Sequence, residues 1–116
     1  MINLDYQSRT PIYEQIIKQI EKYVSLGVLN PKEQIPSIRE MASTLGINPN
    51  TVKKAYSELE NKGVIQTFST KGTFISENVD EIRNINIDSK INEIKGIINE
   101  LEKIGVTKDE IIEKLK

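Results

Sequence analysis

Apolar residues recur at intervals of three and four through most of this chain, and the rhythm breaks at glycines and prolines. Ile12, Tyr13, Ile16, Ile17, Ile20 and Val24 form one stripe, which predicts a first helix over residues 11–25. Thr10 is expected to cap it, Pro11 to be its first residue, and Gly27 to follow its end. Ahead of it, Met1 to Arg9 is polar and extended, with Leu4 and Tyr6 set to pack back on the domain or on a partner. Val28-Leu29 reads as a short strand pairing with a later hairpin, Asn30 to Gln34 as a turn, and Pro36 bars helix before Ser37.

Ile38, Met41, Ala42 and Leu45 make a second, shorter helix, roughly 38–45, with Ser37 and Glu40 placed as a capping box and Gly46 as its stop. Ile47 then plugs the core between helices, and Asn48-Pro49 supplies a cap and a first residue for a third helix. The buried stripe of that helix is Val52, Ala55, Tyr56 and Leu59, and Gly63 closes it. Val64 to Phe68 and Thr73 to Ile75 are β-branched and aromatic around a Ser69-Thr70-Lys71-Gly72 turn, so they predict a hairpin. Two helices across a tight turn followed by a hairpin describe a helix-turn-helix with a wing.

Past Ser76 the composition shifts. Ile87, Ile91, Ile94, Ile98 and Leu101 step by 4, 3, 4 and 3 within a helix from about Asn78 to Ile104, a short heptad seam that Ile97 and Ile104 widen. Gly105 ends that helix. Thr107 with Glu110, and Val106 with Ile111, then start a last helix through Ile112 and Leu115. A seam this apolar needs a partner surface, which makes residues 77–116 a two-helix dimerisation appendage, an αα-hairpin, beside a winged domain of residues 1–76. The expected fold is mainly α with a small β-wing (α+β).

The exposed side of the third helix near its start carries Asn50, Thr51, Lys53 and Lys54. Residues at that place in a recognition helix reach base edges, where Asn and Thr both donate and accept, while lysines neutralise phosphates. Lys71 is the one charge at the wing tip. Arg39 suits a phosphate or guanine contact, or else a surface ion pair with Glu40 or Glu58. Ser37 and Asn48 cap helices first and touch phosphate second. Tyr56 reads as core before contact.

The ordered set resembles the DNA-binding domain of the GntR family of bacterial transcription regulators. The matching residues are Pro11-Ile12-Tyr13 with Gln15-Ile16, Pro36-Ser37 with Arg39-Glu40, Gly46-Ile47-Asn48, Thr51-Val52, Leu59-Glu60 with Gly63, and Gly72-Thr73-Phe74. They span residues 9–76, about two-thirds of the chain. The resemblance implies DNA contacts from Ser37, Arg39, Asn48, Asn50, Thr51, Lys53, Lys54, Lys71, Gly72 and Thr73. Pro49 stands where many members carry a basic residue, and the wing is poor in arginine, which points to modest affinity per half-site. Asn48-Pro49-Asn50-Thr51 is similar to the YtrA-like branch, which implies control of neighbouring transporter genes.

Composition removes other readings. The chain has neither cysteine nor histidine, so it offers no disulfide framework or thiolate metal site, and it lacks the commonest general base. With no phosphate-binding glycine loop or paired-carboxylate cleft either, no enzyme, metal or cofactor is expected. No run approaches the roughly 18 apolar residues of a membrane span, and no basic-then-apolar signal opens the chain, so a cytoplasmic protein is expected. Net charge is −1 overall, +2 over residues 1–76 and −3 over 77–116, so the DNA reading rests on where the cations sit. About 40 residues of appendage cannot enclose an effector pocket of several hundred cubic ångströms in one subunit. Any small-molecule effector is expected between subunits or in a shallow cleft. The expected function is a homodimeric, sequence-specific DNA-binding regulator, most simply a repressor on an inverted repeat. The alternative is a winged-helix protein-interaction module without DNA binding.

Overall fold

The computed structural model describes residues 2–116; Met1, where the extended stretch was expected to begin, lies outside them. Eight elements follow in order: α1 (Ile12–Ser25), β1 (Gln34–Ile35), α2 (Ile38–Leu45), α3 (Pro49–Asn61), β2 (Ile65–Phe68), β3 (Gly72–Ile75), α4 (Val79–Lys103) and α5 (Lys108–Leu115). This is an α+β winged helix-turn-helix followed by C-terminal helices. The chain divides into two compact units, Met1–Asp80 and Glu81–Lys116.

In the first unit α3 packs against both α1 and α2. Ile16 and Ile20 of α1, Met41 and Ala42 of α2, and Val52, Ala55 and Leu59 of α3 meet Ile35, Ile65 and Ile75 of the sheet in one buried cluster. Burying each large aliphatic side chain contributes about 1.5–3 kcal/mol, so this apolar cluster outweighs any surface pair in the unit. Gly46, at φ 66°, turns the chain out of α2. The N–H of Ile47 bonds back to the Ala42 carbonyl at 3.1 Å and that of Gly46 to Ser43 at 3.3 Å, a left-handed closure glycine enters at little cost. The same paired closure follows α1, α3 and α4.

The sheet order is β1-β3-β2, antiparallel throughout. Ile65 opposes Ile75 on the core face, and Gln66 opposes Phe74 on the outer face. The strand expected at Val28-Leu29 is instead Gln34–Ile35. Both Val28 and Leu29 donate their N–H groups to the Tyr23 carbonyl, at 2.8 and 3.1 Å, so the end of α1 consumes the donors a ladder would need. Lys32, at φ 69°, then re-aims the chain and bonds to the Ile75 carbonyl at 2.9 Å, which brings Gln34 beside Phe74.

The expected Thr10 cap does not form. Pro11 occupies the cap position without a side-chain bond, and its carbonyl accepts from Gln15 N–H at 3.1 Å. The Thr10 carbonyl is taken by Gln15 Nε2 at 2.9 Å. Gln15 also holds both backbone groups of Asp5, accepting at 2.8 Å and donating at 2.9 Å, and Gln19 does the same for Asn3. This strap seats Ile2 and Leu4 on the core, whereas Tyr6 is 67% exposed and does not pack back.

In the second unit Ile87, Ile91, Ile94 and Ile97 of α4 are exposed, and Ile98 and Leu101 are half-buried. Thr107 caps α5, its Oγ1 accepting from Glu110 N–H at 3.2 Å, and Ile111 is buried.

Tyr56 joins α3 to the head of α2, its buried hydroxyl donating to the Pro36 carbonyl at 2.7 Å. Tyr56→Phe should therefore cost about 1 kcal/mol in chemical denaturation. Burial, with the Glu40 charge adding, pushes this phenol above its ordinary value of 10.0. Its stabilising effect is complete below pH 10.0 and is lost as the pH rises beyond it. The Phe variant should lose stability less steeply than the parent above that pH; parallel curves would show that Tyr56 does not carry the alkaline sensitivity.

Candidate nucleic-acid interface

The helix-turn-helix is built by two caps and one apolar plug. Ser37 Oγ accepts from Glu40 N–H at 3.1 Å and so starts α2. Asn48 Oδ1 accepts from Asn50 N–H at 2.9 Å, Pro49 takes the first helical position, and α3 begins. Ile47, between them, packs on the core. Each cap serves about 1 kcal/mol of helix stability, which is ample reason for Ser37 and Asn48 to be present before any ligand is considered. The Asn48 amide nitrogen remains free to meet a phosphate, but the first turn of α3 offers no spare N–H: Pro49 has none, and those of Asn50 and Thr51 bond to the side chain and the carbonyl of Asn48 at 2.9 and 3.0 Å.

Helical spacing sets the rest of α3. Val52, Ala55, Tyr56 and Leu59 are buried on one face. Asn50, Lys53 and Lys54 lie opposite and are exposed, and Thr51 is half-buried on the flank. Arg39 is exposed in the first turn of α2. Neither Arg39 nor Lys53 forms an ion pair among the described residues, so Arg39 is not engaged by Glu40 or Glu58. Lys54 differs. Its ammonium sits 3.9 Å from the centre of the Tyr13 ring, a contact worth about 0.5–1 kcal/mol at an exposed site, which orients the side chain without consuming its charge.

The wing places Lys71 exposed at its tip, with no ion pair among the described residues. Gln34 of β1 reaches across β3 and donates to the Lys71 carbonyl at 3.3 Å. Gly72 lies under that arm at φ 115°, where an added Cβ would stand 2.6 Å from Gln34 Nε2. Thr73 is buried, its hydroxyl 3.5 Å from that of Thr67, and so has a structural place inside the hairpin. Thr67 N–H in turn bonds to Glu60 of α3 at 3.2 Å.

Sequence reasoning missed Gln34 and Tyr13 as supports of the site. Tyr13 falls in the apolar stripe of α1, and nothing local marks it as the partner of a lysine 41 positions later. Gln34 sits in a stretch read as turn, and only the register of β1 against β3 brings it over the wing. No cluster of His, Cys, Asp or Glu suited to a metal ion occurs among the described residues, and no helix there is long and apolar enough to cross a membrane.

Comparison with known proteins converges on one group. Residues 12–75 match the model of the bacterial regulatory proteins of the gntR family. The HTH-type transcriptional repressor YtrA of Bacillus subtilis is 51% identical over 78 residues, which cover 67% of this chain and 60% of that protein. The chain thus aligns with less than two-thirds of this relative's length. A transcriptional regulator from Oenococcus oeni superposes with a TM-score of 0.71 at 37% identity, covering 99% of this chain and 96% of the other. The DNA-binding domain of AraR, solved with its operator ORR3, superposes with a TM-score of 0.56 at 26% identity over 64% of this chain and 89% of its own.

Gly72→Ala should both strain the backbone and displace the Gln34 arm. A stability loss of more than about 1 kcal/mol, with altered resonances at Gln34 and Lys71, is expected. A variant as stable as the parent would show that the wing tip does not depend on this turn.

Proposed function

The chain belongs to the gntR family of bacterial regulatory proteins, a family of DNA-binding transcription regulators, and from that premise we propose that it is a sequence-specific repressor that binds its operator as a homodimer. What carries the reading is the one-sided anchoring of α3. Its inner face is buried against α1 and α2, while Asn50, Thr51, Lys53 and Lys54 are presented on the outside and flank of its first two turns. AraR, whose domain superposes on this one, is bound to an operator in its own structure.

In this reading α3 enters the major groove. Asn50 and Thr51 read base edges, and Arg39, Lys53 and Lys54 meet phosphates with the help of the N–H groups at the head of α2 and the Asn48 amide at the head of α3. Lys71 meets the backbone or minor groove from the wing. Gly72 shapes that turn and Thr73 supports it from within. The isoleucine face of α4 (Ile87, Ile91 and Ile94, continuing through Ile98 and Leu101) joins two copies and sets their recognition helices about 34 Å apart on an inverted repeat. Exposed isoleucines in such number on one helix are costly in water, and a second copy covers them with the same surface. The bound dimer occludes a promoter in the cytoplasm, and the resemblance to the YtrA-like branch makes nearby transporter genes the proposed targets.

Selection of bound sequences from a random duplex library at about 150 mM salt tests the reading directly. An inverted repeat is expected; no enrichment by folded protein would turn the reading to a protein-interaction module. Against the selected site, Asn50→Ala and Thr51→Ala should relax base preference, each good contact being worth about 1–3 kcal/mol. Lys53→Ala should instead weaken all sequences alike and reduce the salt slope by about one. Equal losses on specific and random DNA from both kinds of variant would sink this division. Replacing Ile94 and Ile98 by Asp should give monomers in sedimentation and much weaker operator binding; an intact dimer would remove α4 from the interface.

A further inference from the structure

The chain has only two phenylalanines, and neither is in its core. Phe68 closes β2 and Phe74 lies in β3, both on the outer face of the sheet, as the pairing of Gln66 with Phe74 and Phe68 with Gly72 requires. Their rings meet edge to face, with centroids 5.9 Å apart and planes at 66°. Phe68 is nevertheless 49% exposed. A core that buries Tyr56 among mainly aliphatic side chains has left both phenylalanines outside it, forgoing part of the stabilisation full burial gives.

A cleft of about 300 Å³ opens beside these rings, bounded by Gln66, Lys71, Lys32 and Glu77. That is the lower end of the range for small-molecule sites. Lys32 is ion-paired with Glu77 at 3.4 Å, so the one carboxylate at the cleft is already engaged. Lys71 has no ion pair among the described residues and leaves the cleft with one uncompensated positive charge. We infer that this cleft binds a small aromatic carboxylate, its ring against Phe68 and Phe74 and its carboxylate on Lys71 Nζ. Gln66 offers a donor and an acceptor to further polar groups on the ring.

The site carries a regulatory consequence, which rests on the DNA-binding reading above. Lys71 is also the cation of the wing tip, and a carboxylate bound to its ammonium neutralises it and sets a negative charge where a DNA phosphate would approach. Ligand and operator therefore weaken each other by the same factor. A domain too small to enclose an effector would in this way sense one on the outer face of its wing.

Sodium benzoate is the probe, titrated into the full chain at constant ionic strength and followed by NMR, with acetate and benzamide as controls. Saturable shifts centred on Phe68, Phe74 and Lys71 are expected with benzoate by about 20 mM, as suits a ligand of so few atoms. Acetate lacks the ring and benzamide the charge, so each should need at least about fivefold more for half-saturation. Phe68→Ala, which truncates a half-exposed side chain outside the core, should abolish the shifts, and Lys71→Gln should weaken binding about tenfold. No saturable shift with benzoate, or equal response to acetate, would overturn the site whatever the protein does with DNA. In the second arm, saturating benzoate should weaken operator binding several-fold in the parent and not in Lys71→Gln. Benzoate bound without effect on operator affinity would overturn the coupling, while absence of operator binding altogether would be a failure of the DNA reading and leave the shifts to judge the cleft.

Discussion

Helix α3 is held from one side only, and the rest of the first unit depends on that constraint. Val52, Ala55, Tyr56 and Leu59 are each at most 3% exposed, and the helices and sheet around them exist to receive those four side chains. A helix gripped on both faces would be more stable and useless for binding; one gripped on neither would fray, since isolated helices of this length are marginal in water. Tyr56 makes the grip directional. Its hydroxyl bond to the Pro36 carbonyl fixes α3 against the point where α2 begins, so the two helix heads that could meet a phosphate are set relative to each other.

The polar residues divide into those that build and those left over. Ser37 and Asn48 have their side-chain oxygens committed to caps, Glu60 is committed to the wing, and Gln34 to the carbonyl beside the wing tip. Arg39, Lys53 and Lys71 have no ionic partner among the described residues. These three lie on the two helix heads and the hairpin tip, while Arg9, Lys18 and Lys22, also without an ion pair among the described residues, lie ahead of and along α1. Total charge hides this distribution, because Lys62 and Lys32 are paired with Glu21 and Glu77 elsewhere. Exposed pairs of that kind contribute little to stability, so their main effect is to neutralise charge away from the candidate interface.

The wing has two faces with different duties. Ile65 and Ile75 close the core from the inner face, and Gln34 crosses the outer face to hold the tip. The phenylalanine pair on that outer face is not needed for the closure of the core. In the proposed reading, a side-chain cleft next to the wing-tip lysine gives a small regulator a means of coupling a ligand to DNA through one shared charge, with no second folded domain.

The helices and their ends were legible in the sequence because they obey local rules. Apolar spacing, caps at Ser37, Asn48 and Thr107, and glycines after the helices act within one or two turns, and α2 and α3 appear where those signals put them. The helix that carries Ile87 to Leu101 was legible for the same reason. What failed involved partners far apart in the chain. Val28-Leu29 has strand-like residues, yet the end of α1 claimed its donors, and the pairing strand became Gln34–Ile35 because Lys32 turned the chain there. Thr10 is not the cap because Pro11 takes that position, and its carbonyl is instead held by Gln15, whose carboxamide also serves the N-terminal strap. Lys54 found Tyr13, and Phe68 met Phe74 on an outer face, through packing and register that no local window contains. Sequence by itself decided which segments are helices and which faces are apolar, since both follow from backbone periodicity. Tertiary structure alone decided which donors were already spent and which charges stayed free, since each hydrogen-bonding group is satisfied once, by whichever partner the fold brings nearest.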